Sequence, residues 1–269
     1  MNDEGFDGAA KISCFCECIN VSFAAADVVS LEFSWPGPAP RAGQFFLIKP
    51  RRTGVFLGRP ISVAGWRPPE PEFPGRILRF LVALRGRGSR ELALLKPGGH
   101  AELIGPLGNF WARAYNSPDG SGDVSPDPVA FVAGGIGIAP LLAYIPELGE
   151  RPFDFYAGFR TGSFGLENIK PRSLVVATED GSQGKKGRIP DFFSPSGYSA
   201  VFACGPEPML KAVADVCMAG GVPCFISTEK HMACGVGACL GCTVKTVNGN
   251  RRCCADGPIF NARELCFDD

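Results

Sequence analysis

The feature that most constrains this 269-residue chain is a group of cysteines near its C-terminus. Cys234, Cys239 and Cys242 form a C-x4-C-x2-C frame, and Cys254 follows closely. Glycines alternate with these cysteines and allow a loop to wrap tightly around a ligand. Thiolates at this spacing are the ligand pattern of a plant-type [2Fe–2S] cluster. The frame therefore predicts a cluster-binding segment, and a cluster of this kind carries one electron at a time.

Two alternatives bear on this cysteine segment. A structural zinc site usually shows paired C-x2-C knuckles, and only Cys239 and Cys242 make one here, so iron is favoured over zinc. The fourth ligand is ambiguous because Cys253 and Cys254 are adjacent. Neighbouring side chains of an extended segment point to opposite sides, so only one of the two is expected to reach the cluster.

The overall composition excludes several classes of protein. Lys and Arg total 27, as do Asp and Glu, so the charge balance suggests neither a nucleic acid nor an anionic membrane as a partner. We expect neither a signal peptide nor a membrane helix, since no stretch approaches the roughly 18 apolar residues that a helix needs to span a bilayer. Twelve cysteines in a chain of this length favour ligation in a reducing cytoplasm over a disulfide scaffold. With only His100 and His231, a histidine-based catalytic or metal site is not expected.

The first part of the chain has short runs of Val, Ile, Leu and Phe separated by Gly/Pro clusters, which is typical of β-strands. The predicted strands cover residues 11–23, 29–35, 43–50, 59–65 and 76–85. One short helix is predicted from Ser89 to Leu95, with Ser89 as its N-cap. Several short strands with one helix predict a small antiparallel β-barrel.

The pattern changes after residues 116–127, which hold almost nothing apolar and predict a linker at a domain boundary. Beyond it, strands are predicted at 128–133, 153–158, 173–177, 199–204 and 223–227, and helices at 138–148 and 206–219. This alternation predicts a parallel sheet with crossovers. The sequence thus predicts a multidomain β plus α/β fold, with a barrel over 1–120, an α/β domain over 121–227 and the cysteine segment over 228–269.

Two motifs of the second half suit a nucleotide. Gly134-Gly-Ile-Gly-Ile-Ala-Pro140 follows a strand and starts a helix, a geometry in which the backbone can approach a pyrophosphate. Taken alone it is equally an ordinary tight turn, since Pro140 replaces the last glycine of the Rossmann fingerprint. Cys204-Gly-Pro206 follows a later strand, at the edge where such sheets bind ligands. Cys204 is a candidate to contact a nicotinamide ring, or it is the buried end of a strand.

The barrel half offers weaker signals. Arg59-Pro-Ile-Ser62 places a guanidinium, which suits a phosphate, and a hydroxyl, which can bond a flavin edge, on one strand. Gly86-Arg-Gly-Ser89 lies by the short helix, which suits a pyrophosphate. Cys14, Cys16 and Cys18 share one face of the first strand, where we expect them to pack as small apolar residues.

Together and in this order, the motifs resemble the ferredoxin-NADP reductase superfamily and, within it, the electron-transfer subunits of NAD-dependent (class 1B) dihydroorotate dehydrogenases. The resemblance covers about residues 10–262. The motifs that carry it are Gly43-Gln-Phe45, Arg59-Pro-Ile-Ser62, Gly105-Pro-Leu-Gly108, Gly134-Gly-Ile-Gly-Ile-Ala-Pro140, Asp180-Gly-Ser-Gln-Gly184, Cys204-Gly-Pro-Glu-Pro-Met209 and Cys254-Ala-Asp-Gly-Pro-Ile-Phe260. In the family the fourth cysteine lies just before a residue pair and Gly-Pro, which selects Cys254.

The resemblance implies cofactors, partners and site residues. FAD would lie on the barrel, and NADH on the nucleotide domain. An FMN-containing catalytic subunit that oxidises dihydroorotate to orotate would be the partner, in a heterotetramer. No side chain of this chain would act as an acid or base. The implied FAD residues are Arg59, Pro60, Ile61, Ser62, Gly88 and Ser89, the implied NADH residues are Gly134, Gly135, Gly137, Cys204, Gly205 and Pro206, and the implied cluster ligands are Cys234, Cys239, Cys242 and Cys254.

Near relatives of that family share this layout. They include the small subunit of NADH-dependent ferredoxin:NADP oxidoreductase, in which an Asp replaces one cysteine ligand, and the diaphorase-like subunits of sulfhydrogenases. This chain offers four cysteines, which favours the dihydroorotate family. The sequence leaves the choice between NADH and NADPH open, because Arg160 suits a 2′-phosphate but equally suits a solvated surface.

Overall fold

The structure is a computed structural model that describes residues 11–51, 54–115 and 127–267. In the described part of the chain, six antiparallel strands close into a barrel in the order β1-β2-β5-β4-β3-β6. These strands are β1 (Ile12–Ala25), β2 (Val28–Trp35), β3 (Phe45–Pro50), β4 (Arg59–Arg67), β5 (Arg76–Ala83) and β6 (His100–Leu107). The predicted antiparallel barrel is confirmed.

The barrel core follows from the period-two alternation of its strands. Phe33, Trp35, Phe46 and Phe80 are fully buried, and their rings meet edge to face at centroid distances of 4.9–6.1 Å. Cys16 and Cys18 lie in this core as predicted, whereas Cys14 is only partly buried at its margin.

The second half forms a sheet in the order β10-β9-β8-β7-β11-β12-β15, parallel except at its last strand. Its strands are β7 (Val129–Gly134), β8 (Phe153–Phe159), β9 (Ser173–Thr178), β10 (Lys185–Lys186), β11 (Ala200–Cys204), β12 (Cys224–Ser227) and β15 (Ile259–Asn261). The helix α4 (Glu207–Ala219) covers it with buried Leu210, Val213 and Cys217. The predicted parallel α/β sheet is also confirmed.

Several details differ from the prediction. The barrel is closed by β6, which was not predicted as a strand and contains Pro106; proline is unusual inside strands. A short helix α2 covers Trp111–Tyr115, and the short helix α1 runs over Arg87–Leu92 with Gly86 at its N-cap. Ser89 therefore lies within the first turn, where its Oγ accepts from Gly86 N–H and donates to Gly86 O.

The predicted helix 138–148 is broken. The α-helix α3 covers only Ile138–Leu142, and a 3₁₀ turn follows over Ile145–Leu148. Pro146 explains the break, because a proline ring clashes with the carbonyl four residues earlier, here that of Leu142, and offers no N–H.

The cysteine segment is joined to the main sheet by strand pairing. A hairpin of β13 (Thr243–Thr246) and β14 (Gly249–Arg252) precedes β15, and β15 pairs antiparallel with β12 at the edge of the main sheet. The linker prediction at 116–127 lies, apart from Asp127, outside the described residues. No helix in the described ranges is long and apolar enough to cross a membrane.

Candidate cofactor and cluster site

The predicted cluster cysteines lie together in two thiol pairs. Cys234 is within hydrogen-bond reach of Cys239, and Cys242 is within reach of Cys254. A [2Fe–2S] cluster binds two cysteines at each of its two iron atoms, so two thiol pairs fit its donor set. Among the described residues, no group of three or more His, Cys, Asp or Glu side chains is arranged for a single ion.

Backbone N–H groups point at the sulfurs of this segment. Gly237 N lies 3.1 Å from Cys254 Sγ, and Cys254 N lies 3.4 Å from Cys242 Sγ. Cys239 N and Val236 N lie 3.4 and 3.5 Å from Cys234 Sγ. Donors aimed at sulfur stabilise negative charge on thiolates, which is the form that binds iron.

The electrostatics of the two pairs differ. Burial alone would raise the pKa of Cys234, but N–H groups of Val236 and Cys239 outweigh it and lower that pKa to about 6. Burial and the neighbouring Cys242 thiol instead raise the pKa of Cys254 to about 12. A metal that binds Cys254 must therefore displace its proton.

Cys253 faces away from these pairs. Its Sγ lies 3.5 Å from Thr228 Oγ1 and donates to Thr228 O at 3.4 Å. It is fully buried, and burial raises its pKa to about 11. The two adjacent cysteines thus face different surroundings, but they lie in a turn after β14 and not in the extended segment from which the prediction was argued.

The cysteine segment packs on the outer face of the barrel. Gly235 adopts φ +70°, and a Cβ added there would come within 2.7 Å of Leu47 Cδ1 and 2.9 Å of Leu107 Cδ1. Leu47 of β3 pairs with Pro60 of β4. Leu47 therefore separates the Arg59–Ser62 strand from the cysteine loop by one side chain.

Asn109 fixes this arrangement and was missed by sequence reasoning. Its Nδ2 donates to the carbonyls of Asp256 and Ile259 at 3.2 and 2.8 Å, and its Oδ1 accepts from Ile259 N at 3.0 Å. Asn109 N also donates to Gly257 O at 2.6 Å. The only sequence signal was its place directly after the Gly105–Gly108 motif.

The predicted flavin residues form a partly unsatisfied polar site. Arg59 Nη2 donates to Leu57 O at 2.9 Å, while Arg59 Nε is buried without a hydrogen-bond partner among the described residues. A Cβ added at Gly88 would lie 3.2 Å from the Arg59 side chain. The structure thus brings Arg59 and the Gly88–Ser89 turn together, with a buried donor that suits an anion such as a phosphate.

The two nucleotide motifs also meet. β7 and β11 are parallel neighbours with Ala133 opposite Cys204, so the turns that follow them lie side by side. A Cβ added at Gly137 would overlap the Cys204 carbonyl, whereas Gly135, at φ +52°, faces open space. Gly137 is therefore required by packing between the motifs, and Gly135 leaves room for a ligand.

Cys204 is buried at the end of β11 beside Ser227 of β12. Burial raises the pKa of its thiol far above the usual value. The thiol is thus neutral near neutral pH and a poor nucleophile there. The helix α3 that follows the glycine turn packs against β4, so the nucleotide turn faces the barrel strand that carries Arg59 and Ser62.

Comparison with solved structures defines the class of protein. The chain is 28% identical to the structure of the NADH-dependent reduced ferredoxin-NADP oxidoreductase, with a TM-score of 0.79 over 98% of this chain and 92% of the other. A ferredoxin NADP+ reductase from Neisseria gonorrhoeae with bound FAD and NADP has the same fold at 18% identity and a TM-score of 0.58, over 78% and 92% of the two chains. The fold is that of the ferredoxin reductases.

Sequence comparison defines the family. A family model described as "Iron-sulfur cluster binding domain of dihydroorotate dehydrogenase B" matches residues 229–266. The "Dihydroorotate dehydrogenase B (NAD(+)), electron transfer subunit" of Clostridium acetobutylicum is 41% identical, over 85% of this chain and 87% of the relative. That of Caldanaerobacter subterraneus is 35% identical, over 90% and 94%. The chain belongs to this family of electron transfer subunits.

Proposed function

We propose that this chain passes electrons between NADH and the FMN-containing catalytic subunit of a dihydroorotate dehydrogenase, through FAD and a [2Fe–2S] cluster. This is a cytoplasmic step of pyrimidine biosynthesis, carried out in a heterotetramer. The three functional segments are the FAD barrel at 1–120, the NAD domain at 121–227 and the cluster segment at 228–269. The observation that carries the proposal is the position of Leu47. It pairs with Pro60 of the Arg59–Ser62 strand, and its side chain lies against Gly235 of the cysteine loop.

The barrel holds FAD. Arg59 supplies a guanidinium whose buried Nε has no partner among the described residues and suits the diphosphate. Gly88 lets that phosphate approach the backbone, and Ser89 holds the turn through its two bonds to Gly86. Pro60, Ile61 and Ser62 line the flavin end. When bound, FAD converts a two-electron hydride into the single electrons that a cluster carries.

The α/β domain holds NADH. Gly134 and Gly137 bring the turn against Cys204-Gly205-Pro206, where added side chains would collide. Gly135 gives the dinucleotide access to the backbone. The buried Cys204 thiol is neutral and adds no proton chemistry beside the nicotinamide.

The cluster segment binds iron through Cys234, Cys239, Cys242 and Cys254, and it presents one side to solvent. Cys239 is exposed, and beside the ligands Val236 and Leu240 are 47% and 62% exposed. Exposed apolar side chains beside a one-electron carrier are typical of a surface that a partner protein covers. We place the contact with the FMN subunit there.

Co-purification tests the proposal directly. The chain, expressed with its cognate FMN subunit and purified without oxygen, is expected to carry FAD, iron and sulfide and to couple NAD+ reduction to dihydroorotate oxidation. A stable chain that binds FAD and a cluster but shows no dihydroorotate- or orotate-dependent turnover with that subunit would contradict the proposed partner.

A second candidate is an NADH-dependent ferredoxin:NADP oxidoreductase or sulfhydrogenase subunit. The 0.79 TM-score to the NADH-dependent reduced ferredoxin-NADP oxidoreductase structure supports it. The same preparation distinguishes the two, because this second function predicts electron exchange with ferredoxin or NADP+ and none with orotate.

A further inference from the structure

Two thiols of the barrel lie close together without a part in the proposed electron path. Cys14 Sγ and Cys16 Sγ are 3.0 Å apart on the inner face of β1. Residues two apart on a strand have Cα atoms about 6.4–6.8 Å from each other. That spacing lies at the long end of the range a disulfide spans.

The two thiols differ in their access to solvent. Cys14 is partly exposed at the margin of the barrel core, and Cys16 is 2% exposed. Burial, followed by the adjacent Cys14 thiol, raises the pKa of Cys16 well above its usual value. Cys14 is therefore the thiol that a dissolved oxidant can reach. The buried Cys16 sulfur is close enough to react with Cys14 once Cys14 is oxidised.

We propose that Cys14 and Cys16 form a reversible disulfide when the protein meets a peroxide, independently of its electron-transfer function. The Cys14 thiolate attacks a peroxide oxygen, the O–O bond breaks, and Cys14 becomes a sulfenic acid as water leaves. The Cys16 sulfur then attacks Cys14 sulfur, the S–O bond breaks, and a second water leaves. In sum, two thiols and one hydrogen peroxide give one disulfide and two waters.

Reduction follows the reverse exchange. A small thiol such as glutathione attacks the partly exposed Cys14 sulfur and frees Cys16, and a second thiol frees Cys14. A disulfide at the long end of the allowed Cα spacing is more easily reduced than an unstrained one. The pair is therefore suited to a disulfide that forms and is reduced again, and not to a permanent crosslink.

The chain contains a matched control for this pair. Cys217 of α4 and Cys224 of β12 are also in hydrogen-bond contact, but both are buried, at 0% and 2% exposure. If closeness alone decided oxidation, both pairs would react. If access is required as well, only Cys14 and Cys16 will.

Both pairs can be followed in one experiment on the cofactor-loaded protein. Hydrogen peroxide is added in small excess, then the protein is denatured in N-ethylmaleimide and digested with trypsin. Peptide 12–41 contains Cys14, Cys16 and Cys18, and peptide 212–230 contains Cys217 and Cys224. We expect 12–41 to lose two hydrogens and carry one label, at Cys18, at least about tenfold faster than 212–230 forms its own disulfide. Glutathione should then restore all three labels.

Two variants exclude other pairings. Cys14→Ser should leave peptide 12–41 without a disulfide, whereas Cys18→Ser should still form one. Three labels on wild-type 12–41, at a peroxide dose that already oxidises the exposed Cys266, would overturn the proposal. So would an unchanged disulfide in Cys14→Ser, or equal rates in the two peptides. The readout is a peptide mass, so it does not depend on the partner or on the proposed function.

Discussion

At the scale of single residues, Cys253 and Cys254 are sequence neighbours with opposite surroundings. Cys254 Sγ accepts from Gly237 N and lies beside Cys242, while Cys253 Sγ faces Thr228. Both are buried, so exposure does not distinguish them. Orientation alone decides which sulfur is available to iron.

We predict that Cys254→Ser loses most of its iron and acid-labile sulfide, and that the matched variant Cys253→Ser retains them. A serine at 254 removes a thiolate ligand, whereas a serine at 253 only exchanges one weak donor to Thr228 for another. Iron and sulfide are assayed after anaerobic purification, with FAD content as the check on folding. Loss of the cluster in Cys253→Ser and its retention in Cys254→Ser would reverse the ligand assignment.

Glycines of the nucleotide turn differ in what an added methyl group would meet. Gly137→Ala places it against the Cys204 carbonyl, and overpacking of this kind costs about 1–3 kcal/mol. We therefore expect a clear fall in melting temperature. Gly135→Ala meets open space but a positive φ of 52°, so it should lower stability less and mainly raise the KM for NADH. Equal stability losses with unchanged KM values would contradict these separate roles.

At the scale of elements, Asn109 ties the barrel to the segment just after Cys254. Asn109→Ala leaves the carbonyls of Asp256 and Ile259 and the N–H of Ile259 without this partner. At about 0.5–1.5 kcal/mol for each bond, the expected loss of stability is about 2–4 kcal/mol. The cluster should also be extracted faster by a chelator. Asn250→Ala, on the exposed β14, is the control and should behave as wild type.

The α/β sheet contains a carboxylate that makes its stability depend on pH. Arg172 donates twice to Asp154, at 2.9 and 2.7 Å, and Tyr198 donates once, at 2.7 Å. The Arg172 bonds, against the opposing effect of burial, hold the pKa of Asp154 below its usual value. A lowered folded pKa stabilises the protein above the unfolded pKa of about 3.9, and this stabilisation is lost as the pH falls below it.

Asp154→Asn should therefore cost about 2 kcal/mol at pH 7, the size expected for hydrogen bonds to a charged group. The difference in melting temperature from wild type should stay constant from pH 8 to pH 5 and shrink below pH 4. Thermal unfolding followed by circular dichroism measures it. A difference that grows towards acid pH would contradict the assigned role of the carboxylate.

Elements whose formation depends on a local sequence pattern could be predicted, and elements that depend on non-local pairing could not. The alternation of β2 and the apolar run of β7 are local, and both were predicted correctly. β6 was missed in the sequence; non-local pairing with β1 and β3 on both sides holds it in the barrel. Pro146 was overlooked as a break in the helix predicted over 138–148. β15 joins the sheet through a non-local pairing with β12.

The residues of the candidate site also divide into those with a local sequence pattern and those without one. The cysteine frame, Arg59 and the glycine turns have sequence patterns and were named in advance. Leu47 and Asn109 have none: a leucine on a strand and an asparagine after a turn are ordinary. Their importance comes from contacts between residues far apart in the chain, such as Asn109 and Ile259, which no local pattern encodes.

At the scale of the whole molecule, the fold places three proposed binding sites against one another. β4 carries Arg59 and Ser62, α3 brings the glycine turn against β4, and Leu47 of β3 meets Gly235 of the cysteine loop. The exposed Val236 and Leu240 then mark the outer end of this path. We therefore expect electrons to enter at the nucleotide turn and to leave beside the cysteines.

If electrons reach the partner only through the cluster, loss of the cluster must stop transfer to orotate but not to an acceptor that takes electrons from FAD. NADH oxidation is measured in the complex of the Cys254→Ser chain with its FMN subunit, first with ferricyanide and then with orotate as acceptor. We expect the ferricyanide rate, which needs only FAD, to stay within about twofold of wild type. The orotate rate should fall by at least about a hundredfold, because an obligatory carrier has been removed. An orotate rate that survives loss of the cluster would contradict it.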